Sequence, residues 1–246
     1  SIAFSPGGSK VLTCKKDTVT VWDAEQGRLL QTLVGETLDG GAVTSTAFSH
    51  DGSRILMAGD RQTATLWEAA SGRELRRLRS ADVDPAYYCS MSPDGTRLVS
   101  GGDNSPKLWD LTTGRLTAVL TGHTGPTTAL AFSPDGRLIL SAGSEAIVWD
   151  ASSGTVKHTL PEIAGCTAAA FSAGGSQLVT ASYEGWRVWD IESAQVVRSF
   201  AWGEFGGPTA AFSPDGSRVV AGGGVGCRER DELLVGRDLA HRRLER

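Results

Sequence analysis

Apolar and polar residues alternate along this chain in short runs that break repeatedly at Gly, Pro, Asp and Ser. Ala129-Leu130-Ala131-Phe132, Arg137-Leu138-Ile139-Leu140 and Ala146-Ile147-Val148-Trp149 are typical. Their length and their branched and aromatic content predict strands, because such side chains fit a pleated, half-buried surface. Pro134-Asp135-Gly136 lies between the first two runs and predicts a tight turn, with Pro presetting φ and Gly allowing it to be positive. A further turn closes on Gly27, Gly72, Gly114 or Gly154, and a fourth strand follows, as in Arg28-Leu29-Leu30-Gln31-Thr32-Leu33. No apolar run approaches the ~18 residues of a membrane-spanning helix.

The pattern repeats. FSPGG begins at Phe4, FSHDG at Phe48, MSPDG at Met91, FSPDG at Phe132, FSAGG at Phe171 and FSPDG at Phe212, at intervals of 44, 43, 41, 39 and 41 residues. A second marker follows the first five after 17 to 19 residues: Trp22-Asp23, Trp67-Glu68, Trp109-Asp110, Trp149-Asp150 and Trp189-Asp190. The 246 residues are six times 41, within the period range of propeller repeats. Four short strands per unit make a small antiparallel sheet that cannot bury both faces alone. Stacking such sheets around an axis buries them, which predicts an all-β chain built as a β-propeller.

The FSPDG turn, the Trp-Asp ending and the Gly122-His123 dipeptide resemble those of the WD-repeat family, over essentially the whole chain. The resemblance implies a propeller of six four-stranded blades, the last degenerate, as one domain over 1–246. It also implies an internal chain of His, Ser or Thr, Trp and Asp in each blade. Trp22, Trp67, Trp109, Trp149 and Trp189 take the Trp place, with His123 and Ser141 as partners in unit four. There the expected Asp is replaced by Ser144-Glu145. Unit three has Asp103, Ser100 and Trp109 but no His before its first strand, and no unit holds the full set.

The expected units are 1–23, 24–67, 68–110, 111–150, 151–190 and 191–238, with 239–246 returning to the first. Arg243-Leu244-Glu245-Arg246 would then supply that blade's outer strand. Two arrangements remain open: a six-bladed ring with this short clasp, or a piece of a ring of seven or more. The start at Ser1, inside a strand-like stretch and with no Met or leader, favours a piece of a longer chain. Unit six carries Arg237 where Trp should stand, after an extended hairpin at Gly224 to Asp231, and is expected to be the least stable edge.

Composition adds exclusions. A net charge of −4 offers no basic stripe, so nucleic acid is not an expected partner, nor is a membrane. Cys14, Cys89, Cys166 and Cys227 are far apart and the four His are scattered. No disulfide framework, metal site or cofactor is expected, and a reducing, cytoplasmic setting fits. No GxSxG, P-loop, HExxH or dinucleotide pattern occurs. Inner strands such as Ala-Leu-Ala-Phe and Ala-Ala-Ala-Phe would line the channel with small apolar groups, so no catalytic residue is expected. Asp17, Asp60, Asp103, Glu145 and Glu184, one per unit, read as hairpin-turn carboxylates, and Arg76-Arg77-Leu78-Arg79 as a solvated outer strand.

Surface remains. By the resemblance, the outer-to-inner connections and the hairpins between second and third strands share one face, the family's usual partner site. Tyr87, Tyr183, Trp186, Trp202 and Phe205 are its unusual aromatics, the last two within the loop Ala201 to Gly207. Trp186 replaces Val19, Ala64, Pro106 or Ala146, and is either displayed or packed beneath its own hairpin. The expected function is a non-catalytic scaffold for protein or peptide partners, a regulatory or sensory module of a longer chain. A propeller enzyme or small-molecule binder at the channel mouth is the alternative.

Overall fold

The computed structural model describes residues 2–34, 43–59, 63–79, 87–160, 165–201, 209–213 and 215–222. They form only strands and turns, in five four-stranded sheets and one two-stranded sheet, all antiparallel. The first holds β1 (Ile2–Phe4), β2 (Lys10–Lys15), β3 (Thr18–Asp23) and β4 (Leu29–Val34), side by side in that order. The second holds β5 (Val43–Phe48), β6 (Arg54–Gly59), β7 (Thr63–Glu68) and β8 (Glu74–Arg79). The third holds β9 (Tyr88–Met91), β10 (Arg97–Gly101), β11 (Lys107–Asp110) and β12 (Arg115–Val119). The fourth holds β13 (Ala129–Phe132), β14 (Leu138–Ala142), β15 (Ala146–Asp150) and β16 (Val156–Leu160). The fifth holds β17 (Ala168–Phe171), β18 (Gln177–Ser182), β19 (Gly185–Asp190) and β20 (Gln195–Ala201). In the sixth, β21 (Thr209–Phe212) pairs with β22 (Val219–Gly222).

One sheet is therefore one passage from inner to outer strand, and this corrects the expected phasing. Each Trp-Asp pair ends a third strand, and the chain folds straight back into the same sheet. In the first sheet β4 pairs with β3, Thr18 opposite Val34, so the outer place is filled by residues 29–34. The clasp expected from Arg243 to Arg246 is not needed there. Those residues, Arg237 and the hairpin before it lie outside the described residues.

Local chemistry sets these hairpins. In every FSxxG turn the Ser hydroxyl accepts the backbone N–H five residues on, Lys10, Arg54, Arg97, Leu138, Gln177 or Arg218. Where Asp follows, it accepts that hydroxyl's hydrogen bond: Ser49 Oγ donates to Asp51, Ser92 Oγ to Asp94 and Ser133 Oγ to Asp135. The Asp of each Trp-Asp pair accepts backbone N–H groups from the following turn, as Asp110 does from Thr112 and Thr113 at 2.7 and 2.8 Å. The turn closes on a left-handed residue, which is Gly27, Gly72, Gly114 and Gly154 but Ala194 in the fifth sheet, at φ 55°. Just before each Trp the outer pairing shifts register by one residue, a bulge repeated in all five sheets.

The core lies in the seams between consecutive sheets. Leu12, Val21 and Leu33 of the first pack with Ile55, Met57 and Trp67 of the second. Leu56, Leu66 and Leu78 of the second meet Leu98 and Trp109 of the third. Val99, Leu108 and Leu120 meet Phe132, Ile139 and Trp149; Leu140, Val148 and Leu160 meet Leu178 and Trp189. Each fully buried aliphatic side chain contributes about 1.5–3 kcal/mol, so a seam of five or more outweighs any single hydrogen bond across it. The Phe that opens each turn faces the preceding seam: Phe132 is 8% exposed, whereas Phe4, on the face of the first sheet turned away from the second, is 66% exposed.

Candidate functional site

The five Trp of the Trp-Asp and Trp-Glu endings were expected to anchor hydrogen-bond chains, and four of the indoles donate to a hydroxyl. Trp109 donates to Ser100 Oγ at 2.9 Å, Trp149 to Ser141 Oγ at 2.7 Å and Trp189 to Thr180 Oγ1 at 2.9 Å. Trp22 donates to Thr13 and Thr20, whose hydroxyls are bonded to one another. The acceptor stands two residues beyond the one opposite the Trp on the second strand. In the second sheet that residue is Met57, and Trp67 Nε1 is buried without a partner.

The fourth sheet carries the longest chain. His123 Nε2 lies 2.6 Å from Ser141 Oγ, which also accepts from Trp149. If Ser141 spends its single proton on Nε2, the imidazole is neutral with its proton on Nδ1. Nδ1 faces the Glu145 carboxylate at 3.9 Å, beyond hydrogen-bond reach. Glu145 is bonded instead by Thr124 N–H at 2.8 Å, so the carboxylate standing where Asp was expected holds the loop start. Burial lowers the His123 pKa below 6.5, and the nearby Glu145 charge opposes that shift. In the third sheet, lacking this His, Asp103 binds Lys107 Nζ at 2.5 Å, a side chain only 9% exposed.

The sequence reading missed two arginines that tie sheets together. Arg54 Nη1 donates to Gly95 O of the third sheet at 2.9 Å. Arg97 donates to Ala151 O at 2.7 Å and Gly136 O at 2.9 Å in the fourth, its guanidinium 5.9 Å from the centre of the Phe132 ring. Their shared register, six residues after the Phe or Met of the turn, was the available signal.

The arginines tie the sheets at the end of the FSxxG turns; at the opposite end the β2–β3 type hairpins and the outer-to-inner connections meet. Val43 N–H bonds Lys16 O, Thr127 N–H bonds Asp103 O, and Cys166 N–H bonds Gly143 O across that end. Tyr87 (44% exposed) and Tyr183 (66%) stand there, with Tyr88 (39%), which the reading had not singled out. Trp186 is packed rather than displayed, 6% exposed and stacked on Phe200. Trp202 and Phe205 lie outside the described residues.

The acidic residues do not assemble. Asp17 accepts from Thr18, Asp103 from Lys107 and Glu145 from Thr124, while Asp60 lies outside the described residues. Among the described residues no three metal-ligating side chains cluster. Burial pushes the Cys166 thiol up to about 11, so it holds its proton at neutral pH. Arg76 reaches Thr113 O and Arg77 pairs with Glu74, so these two are tied into strand and turn contacts.

With six such sheets in register, the comparisons with known proteins are specific. The family of the WD domain, G-beta repeat, matches residues 27–68, 73–110 and 114–157, together half of the chain, and the chain belongs to that family. Nuclear distribution protein PAC1 of Arthroderma otae is 34% identical over 158 residues, 59% of this chain and 34% of that protein. WD repeat-containing protein SL1-17 of Schistosoma mansoni is 29% identical over 147 residues, 59% of this chain and 47% of that protein. The U5 small nuclear ribonucleoprotein 40 kDa protein of Pongo abelii is 43% identical over 58 residues, 23% of this chain and 16% of that protein. The chain thus spans a third to a half of the first two and less of the third. WD-repeat proteins are generally protein-interaction scaffolds.

Proposed function

We propose that this chain is a non-catalytic scaffold, one propeller unit that presents its hairpin-and-connection end to protein or peptide partners. It acts as a regulatory or sensory module of a longer chain in a reducing, cytoplasmic setting, and does not bind nucleic acid or membrane. The exposed Tyr87 and Tyr183 at the hairpin-and-connection end support the reading, because large aromatics bury much area on binding with little loss of conformational freedom. Trp202 and Phe205 belong to the same proposed surface. The unpaired Cys14, Cys89 and Cys166 support the reducing setting.

The test is affinity capture followed by reconstitution with the purified partner. Replacing Tyr87 and Tyr183 by Ala is expected to abolish binding while far-ultraviolet circular dichroism and the melting temperature stay unchanged. Replacing Trp202 and Phe205 by Ala is expected to do the same. Tight one-to-one calorimetric binding of a metal ion or nucleotide would overturn the scaffold reading in favour of a small-molecule site.

A further inference from the structure

Glu145 stands between two donors. Its Oε1 accepts the Thr124 N–H at 2.8 Å, while its Oε2 lies 3.3 Å from the Thr124 hydroxyl and 3.9 Å from His123 Nδ1. The two claims on Oε2 are unequal. Thr124 is exposed, so its hydroxyl finds water whenever the carboxylate oxygen leaves it. The His123 side chain is 0% exposed, and its Nδ1 is buried with no hydrogen-bond partner. Only Glu145 can serve it.

The connection that carries both residues is pinned on either side. Thr127 N–H and Oγ1 both bond Asp103 O of the third sheet. On the other side the connection lies against the β14–β15 hairpin, where a Cβ on Gly143 would stand 2.3 Å from Pro126 O. Glu145 is therefore the member free to turn. With Oε1 still on the Thr124 N–H, Oε2 needs a swing of about 1 Å to reach the distance of a charge-assisted bond to Nδ1.

The charge on His123 decides that swing. A neutral imidazole has one donor nitrogen and one acceptor, and only the imidazolium offers N–H at both. Its Nε2–H then donates to Ser141 Oγ, whose second lone pair keeps the Trp149 N–H, and its Nδ1–H is aimed at Oε2. Among the described residues Glu145 is the one charge that acts on the ring. The hairpin of the third sheet brings Asp103 and Lys107, which are paired with each other. The connection into the fifth sheet brings Cys166, whose N–H bonds Gly143 O and whose buried thiol keeps its proton.

We propose that Glu145 is a latch set by a proton on His123: Oε2 rests with the Thr124 hydroxyl when the ring is neutral and closes on Nδ1 when it is charged. The closed form joins Trp149, Ser141, His123, Glu145 and the Thr124 N–H in one bonded chain, from the core of the fourth sheet to the connection at its end. It also turns the Thr124 hydroxyl out to solvent.

An NMR titration of the intact chain between about pH 7.5 and 5 tests the latch. The His123 ring resonances, assigned from His123→Asn, and the Thr124 amide resonance are expected to move with one shared midpoint. Glu145→Gln is expected to lower the His123 midpoint and to remove the matching movement of Thr124. Thr124→Val deletes the competing hydroxyl and keeps the N–H, so it is expected to raise the midpoint. Because Thr124 is exposed, this second variant decides the matter even if Glu145→Gln fails to fold. A Thr124 amide that holds its place through the His123 transition, or a midpoint indifferent to Thr124→Val, would overturn the latch.

Discussion

His123 and Trp149 lean on one hydroxyl: Ser141 Oγ lies 2.6 Å from the imidazole and 2.7 Å from the indole nitrogen, with the rings tilted 46° and 6.2 Å apart. All three side chains are buried. Ser141 thus satisfies two groups, whereas Ser100 in the third sheet satisfies only Trp109. Removing a partner from a buried polar group costs about 1–3 kcal/mol per stranded group. Ser141→Ala is therefore expected to destabilise by about 2–4 kcal/mol and Ser100→Ala by about half of that. Urea denaturation of both variants checks this, and equal losses would show that His123 gains nothing from the hydroxyl.

The same imidazole makes stability depend on pH. Its folded-state pKa lies below the unfolded value of 6.5, burial being the larger cause. The unfolded chain then takes up the proton first as pH falls. The contribution of His123 is intact above 6.5 and is lost progressively as pH drops from there toward the folded pKa. His123→Asn is expected to flatten the fall in melting temperature between pH 7.5 and 5.5 relative to the unmodified chain. An unchanged slope would assign that dependence elsewhere.

Trp67 offers the opposite contrast, since its indole nitrogen is buried with Met57 where its counterparts find a hydroxyl. Trp109→Phe gives up a hydrogen bond and strands Ser100, while Trp67→Phe removes a donor that had no acceptor. Both lose indole volume. The expected difference is about 1–2 kcal/mol, with Trp67→Phe the milder, measured by denaturant midpoints at constant m-value.

Ala194 closes its turn at φ 55°, where the other four sheets place glycine. A left-handed backbone costs an L-residue roughly 1–2 kcal/mol, and glycine's extra freedom in the unfolded chain offsets about half of that. Ala194→Gly is expected to stabilise by about 0.5 kcal/mol, a rise of roughly 1–2 °C in melting temperature for a domain of this size. A lower melting temperature would mean that the Ala194 methyl, which packs against the seam with the fourth sheet, outweighs the strain.

The fold was legible because its determinants are local and repeated. The Ser and Asp of each turn, and the Trp-Asp ending, act within a few residues of themselves, so their spacing carries the architecture. The missing acceptor of Trp67 was not read, although Met57 breaks the register that Thr13, Ser100, Ser141 and Thr180 keep. Strand phasing was misread because a sequence unit counted from Trp-Asp to Trp-Asp cuts each sheet before its outer strand. The fate of Trp186 was not legible. It depends on what Phe200 does across the strand, and pairwise volume is not a spacing. The seam arginines escaped for a different reason: their shared register was visible, but their backbone carbonyl acceptors carry no side-chain signature to say what they bind.

Those arginines also give the assembly a direction. Arg54 precedes Gly95 in the chain, and Arg97 precedes both Gly136 and Ala151. In both cases the donor is made before its acceptors, so the second and third sheets each reach forward along the chain to the backbone of the sheet that follows.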